Sequence, residues 1–142
     1  MTTTQPVPIS DAPLLAVLLR NRVCDGFPSP AEDFGDQRID LTQVLVTHAQ
    51  ATYFLRASGT SMVEAGIFDN DILVVDRAIK PRHGHIVVAI VDGNFAVQQF
   101  YQRQGRTKLK AANPTFPDIE PKEGQMIEVW GVVTSTIKQF KV

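Results

Sequence analysis

Six consecutive apolar residues, Ile86-Val87-Val88-Ala89-Ile90-Val91, run directly into Asp92-Gly93 and then into a second apolar segment at residues 95–101. β-Branched side chains suit a pleated surface better than a helix, and an Asp-Gly pair accepts the left-handed angles of a two-residue hairpin turn. The pattern predicts an antiparallel hairpin whose first strand is buried on both faces. It is far too short to cross a bilayer, which takes about 20 apolar residues. Around this hairpin, residues 53–57, 72–75, 107–111 and 126–133 read as further strands, with a last one at 136–140. Gly, Asp, Asn and Pro turns separate them. Asp40-Leu41-Thr42-Gln43 resembles a capping box opening a short helix through Val44, Leu45 and His48. The expected fold class is mostly β, a β-rich α+β domain of single-domain length at 142 residues.

The first 38 residues have a different texture. Prolines and turn formers interrupt short apolar runs, and only residues 11–20 read as a helix, with Ser10 or Asp11 as cap and Pro13 in the first turn. Gly26-Phe27-Pro28-Ser29-Pro30 then breaks regular structure. Residues 1–38 are therefore expected to form an arm and residues 39–142 the folded domain. The apolar stretch at 14–19 needs a surface to dock on. Fourteen Lys+Arg against fifteen Asp+Glu leave a net charge of -1, which argues against a protein that grips DNA by charge alone. The N-terminus lacks the basic cluster and apolar core of a secretory signal, so a soluble, cytoplasmic protein is expected. A single cysteine, Cys24, excludes an internal disulfide and a multi-cysteine metal site, and no cofactor is expected.

Ala57-Ser58-Gly59-Thr60-Ser61-Met62 places a small, hydroxyl-rich turn after a strand. Ser61 beside backbone N–H groups is what a nucleophilic serine needs, although most Ser/Gly turns in small β domains are only turns. Wider context adds weight. Gly26-Phe27-Pro28-Ser29-Pro30, Gln37-Arg38-Ile39-Asp40-Leu41, residues 51–62, Asp69-Asn70-Asp71-Ile72-Leu73-Val74-Val75-Asp76, His83-Gly84 and Trp130-Gly131-Val132-Val133 closely resemble, in this order, the UmuD proteins of the LexA-type family of self-cleaving serine peptidases. The resemblance runs from about residue 22 to about 137. It implies an N-terminal arm with a scissile bond ahead of the Gly-Phe-Pro segment, a β-rich catalytic domain, and a Ser-Lys pair in which a buried lysine takes the serine proton.

On that resemblance Ser61 is the nucleophile, and the general-base lysine falls on Gln98, whose amide has no useful basicity. The scissile position also departs. Asp25 stands before Gly26, where the family carries a small residue, and Cys24 lies one place back. Cleavage is expected at Asp25-Gly26 or, in a shifted register, at Cys24-Asp25, with a charged side chain opposing entry to a small pocket. The resemblance further implies an SOS-response role as accessory subunit or regulator of an error-prone translesion polymerase. Its implied partners are a second copy in a homodimer, a UmuC-like Y-family polymerase subunit and a RecA filament, with no sequence-specific DNA binding and no membrane. The alternative is an active peptidase cutting its own arm. A LexA-like repressor would need a helix-turn-helix domain, for which residues 1–38 are too few. If Gln98 has replaced the base, it is expected to hydrogen-bond near Ser61, with the arm lying over the site as an extended strand. His83 and His85 read as a turn without a third metal ligand, Cys24 as a plain arm residue, and Arg103-Gln104-Gly105-Arg106 with Lys108 and Lys110 as a solvated hairpin tip.

Overall fold

A computed structural model describes residues 1–9, 15–18, 37–122 and 127–142. In chain order the strands are β1 Thr2–Thr3, β2 Val7–Pro8, β3 Leu15–Leu18, β4 Gln37–Asp40, β5 Thr52–Ser58, β6 Ile72–Asp76, β7 Ile86–Val91, β8 Asn94–Arg103, β9 Arg106–Lys110 and β10 Glu128–Ile137. One short helix, α1 Leu41–Leu45, opens where Asp40 accepts a hydrogen bond from the Thr42 N–H at 2.9 Å. The mostly β class holds.

The hairpin is the one the sequence predicts. Val91 pairs with Asn94 across Asp92 and Gly93, both at positive φ (50° and 80°), and the register continues to Ile86 opposite Gln99. The main sheet runs β1-β5-β6-β10-β7-β8-β9, every pairing antiparallel, with β2 also on β5. The carbonyl of Met1 accepts from the Val97 N–H at 2.8 Å. Residues 1–3 therefore bridge β5 and β8 and draw two distant parts of the sheet together.

Alternation along the strands divides the core in two. Val88 and Val97 pack with Leu55, Met62, Ile67, Leu73 and Val75, whereas Val87, Ala89, Phe100, Leu109 and Val132 fill the opposite face. Both faces of β7 are covered, which explains its uninterrupted apolar run. Trp130 closes one side, with its ring 5.3 Å from Tyr53 and 5.2 Å from Phe95 and the Arg77 guanidinium 4.6 Å above it.

Three expectations need correction. Within the expected helix at 11–20, residues 15–18 are a strand, antiparallel to β4 with Leu15 opposite Asp40. A helix shorter than about 12 residues is marginal without a packing surface, and pairing with β4 supplies the backbone partners instead. The two C-terminal strands are one, β10, which bends through irregularities at 129–131 and 133–135 and so pairs with β7 and then β6. The first helix stops at Leu45, short of His48, whose Nδ1 lies 2.7 Å from the buried Asp76 carboxylate. Among the described residues no helix is long and apolar enough to cross a membrane.

Two contacts generate predictions. At Gly131 a Cβ would fall 2.6 Å from Val75 Cγ1, a buried branched side chain that cannot swing away. Gly131→Ala should therefore destabilise the fold by about 1–3 kcal/mol, read from denaturant unfolding. Near the C-terminus, the buried Asp71 carboxylate accepts from Lys138 Nζ at 2.7 Å and from the Phe68 N–H at 2.9 Å. Burial pushes its carboxyl up, but the Lys138 and backbone hydrogen bonds outweigh this and leave it below the ordinary carboxylate value. A depressed carboxyl stabilises the fold above its unfolded value, about pH 4, and that gain vanishes as pH falls through the folded value. Lys138→Met should cost about 1–2 kcal/mol at neutral pH. Its melting temperature should converge on that of the unaltered chain in strong acid.

Candidate active site

The site is built where β5 ends. Gly59, at φ +107°, turns the chain in a conformation that side chains resist, and its N–H donates to Asp69 Oδ1 at 2.8 Å. Asn113 Nδ2 donates to the Thr60 carbonyl at 3.0 Å, and the Ala112 N–H reaches the Sδ of fully buried Met62 at 3.4 Å. Ser61 is thereby fixed between two anchored neighbours and is only 1% exposed. The N–H groups of Ser61 and Met62 have no acceptor among the described residues, which leaves two donors beside the hydroxyl.

The Ser61 Oγ accepts a hydrogen bond of 2.7 Å from the α-amino group of Met1. Burial pushes this amine below the ordinary α-amino value and favours its neutral form. Residues 1–9 run antiparallel to β5, pairing Thr2 with Ser58 and Val7 with Phe54, and the Thr4 N–H donates to the Arg56 carbonyl at 3.1 Å. An extended segment thus lies beside the serine on main-chain hydrogen bonds, and it consists of residues 1–4. Asp25, Gly26 and Cys24 lie outside the described residues, so both expected cleavage registers do too.

Gln98 sits on β8 opposite Val87 and is 5% exposed. Its Oε1 has no hydrogen-bond partner among the described residues, and neither has the buried Thr3 Oγ1. The expected hydrogen bond between Gln98 and Ser61 is not made: the Met1 amine takes that place. A glutamine side chain ends one heavy atom sooner than a lysine and carries no positive charge to reach for the hydroxyl. Met1 meets Ser61 through its amine and, through its carbonyl, the N–H of Val97, which precedes Gln98 in the chain. Chemically the constellation offers a hydroxyl, two backbone donors and an amine, and no side-chain base bonded to Ser61 among the described residues.

The histidine pair plays no part. His83 Nδ1 accepts from the Gln102 N–H and His85 Nδ1 from the Arg82 N–H, both at 3.1 Å, so each imidazole staples its turn. Among the described residues no group of three His, Cys, Asp or Glu is placed to hold a metal ion. Sequence reasoning missed the approach of residues 1–4. The one signal was the β-branched run Thr2-Thr3-Thr4, which suits an edge strand.

An acceptor buried without a partner costs about 1–3 kcal/mol. Gln98→Met, which keeps the volume and removes the amide, should accordingly raise unfolding stability by a measurable part of that sum. An unchanged or lower midpoint would mean that the amide has a partner in solution.

The Peptidase S24-like family profile matches residues 17–134, a span that includes the Ser61 turn and most of the sheet. Protein ImpA of Escherichia coli is 42% identical over 136 residues, covering 94% of this chain and 91% of that protein. Protein MucA of Salmonella typhimurium is 42% identical over 123 residues, or 85% of this chain and 83% of MucA. The LexA repressor of Paracidovorax citrulli is 32% identical over 132 residues, which take in 93% of this chain but 58% of the repressor.

Proposed function

The chain belongs to the S24-like peptidase family, as a UmuD-like protein of its LexA type, and from that premise we propose that it serves the bacterial SOS response as a subunit or regulator of an error-prone translesion polymerase, with its own arm-cleaving reaction blocked. Gln98 carries this reading. The position that the family resemblance assigns to the general base holds an amide, and an amide cannot accept the serine proton. The substrate side supports the same conclusion, because Asp25 would bring a carboxylate to a pocket shaped for a small side chain.

In this reading Ser61 is a seated nucleophile without a base. Its strand-exit turn is a recognition surface for extended peptide, the use to which residues 1–4 already put it. The Gln98 Oε1, buried and unpartnered among the described residues, is an acceptor that a bound segment's N–H would satisfy only by displacing what now covers it. The proposed partners are a second copy of the chain, a UmuC-like Y-family polymerase subunit and a RecA filament. An uncleaved protomer pairing with processed relatives would restrain the polymerase.

A second reading, an active peptidase cutting near Asp25-Gly26, is favoured by the Met1 amine. An amine 2.7 Å from the hydroxyl, its basicity lowered by burial, has the reach to take the serine proton once it has lost its own. One set of incubations at alkaline pH, and with activated RecA, separates the two. The unaltered chain should stay intact on a gel. Gln98→Lys should cleave weakly and Gln98→Lys with Asp25→Ala should cleave more than additively, since each change alone leaves the other block in place. Cleavage of the unaltered chain that is abolished by acetylating its α-amine would establish the second reading and overturn the first.

A further inference from the structure

Residues 93–117 contain four cations, Arg103, Arg106, Lys108 and Lys110, and no acid, in a chain whose net charge is -1. In sequence they form a modest cluster at a hairpin tip. The register makes more of them. Arg103 lies opposite Arg106, Tyr101 opposite Lys108 and Gln99 opposite Lys110. Cross-strand partners share a face and side chains alternate along each strand, so all four cations and Tyr101 occupy one face of the β8–β9 ribbon. The other face is the core, through Phe100 and Leu109. On β9 the cations recur at every second residue, about 6–7 Å apart.

The arrangement is costly by itself. Arg103 and Arg106 are directly opposed like charges, which destabilise a strand pair. Lys108 and Lys110 share one aromatic ring, with Nζ atoms 4.9 and 5.3 Å from the Tyr101 centroid. Lys108 has a carboxylate partner, Asp118 at 2.8 Å, whereas Arg103, Arg106 and Lys110 have none among the described residues. Charge on an edge strand deters pairing with a neighbouring sheet, which accounts for β9. It does not account for two arginines placed directly opposite one another. A groove of roughly 660 Å3 runs beside the stripe, lined by Tyr101, Arg103, Arg106, Lys108, Glu120 and Pro121.

We propose that this ribbon face binds the phosphodiester backbone of nucleic acid without reading its sequence. A regular row of anions relieves the opposed arginines and matches a row of cations of which Lys108 and Lys110 rest on the Tyr101 ring. An acidic protein segment fits less well, because its charges sit on flexible stems rather than on a repeating backbone. The inference is independent of any role for Ser61, because it uses no residue of that site.

Fluorescence anisotropy of the full chain with a labelled oligothymidylate in low-salt buffer tests it, with a labelled mixed-sequence duplex alongside. Binding to either form is the expected result, and their ratio tells which form the ribbon takes. Arg103→Glu with Arg106→Glu should weaken binding at least tenfold and make the salt dependence shallower by about one to two units of log-log slope. Lys110→Gln, the milder change, should weaken it several-fold. Arg38→Glu with Lys141→Glu, the same change of charge placed off the ribbon, should have little effect. Melting curves establish that each variant is folded. Absence of binding by the unaltered chain, equal loss in the off-ribbon pair, or displacement by polyglutamate as readily as by unlabelled oligonucleotide would overturn the proposal.

Discussion

The two-residue turn at Asp92-Gly93 sets the register of β7 against β8, and much of the molecule depends on that register. Side chains alternate with a period of two, so a slip of one residue would exchange the two faces of β8. Val97 would leave the core it shares with Val88 and Leu73, and Phe100 would leave the second core. The N–H that Val97 offers to Met1 would be displaced, and the ribbon face carrying Tyr101 and Arg103 would turn inward. The apolar run of residues 86–91 alone would tolerate such a slip, since both its faces are buried. The turn specifies what the strand composition leaves open.

This explains which parts of the fold were legible in the sequence. β5, β6, β7, β8 and β9 were readable to within about two residues because β6 and β7 carry β-branched runs and turn formers such as Ser58-Gly59, Asp92-Gly93 and Gly105 bound the others. The two breaks in β10 were not. Bulges at 129–131 and 133–135 answer to the need to pair with two different strands, which no local pattern announces. Residues 11–20 misled for a related reason. Their spacing fits a helix, yet residues 15–18 find backbone partners 19 to 25 positions away, in β4.

At the candidate site, local chemistry was legible and distant chemistry was not. Gly59 marked the turn, and Gln98 could be singled out as a residue without basicity through the family resemblance alone. The approach of Met1 to Ser61, 60 positions apart, left as its one trace the β-branched run Thr2-Thr3-Thr4. The interior around these residues also departs from the rule that buried polar atoms are paired: Gln98 Oε1 and Thr3 Oγ1, on β8 and β1, both lack partners among the described residues. Polar groups kept buried and unsatisfied are a stability cost.

The bridge that residues 1–3 make between β5 and β8 also has a consequence in time. A ribosome extends a chain at about 5–20 residues per second, so these residues emerge many seconds before Val97 exists to receive them. Until then the segment that covers Ser61 has β5 to pair with but lacks its second anchor on β8. Contacts this far apart in sequence are also slow to form, because the closure entropy of the intervening chain comes first. The cover over the serine is therefore completed late, by a residue made well after the serine itself.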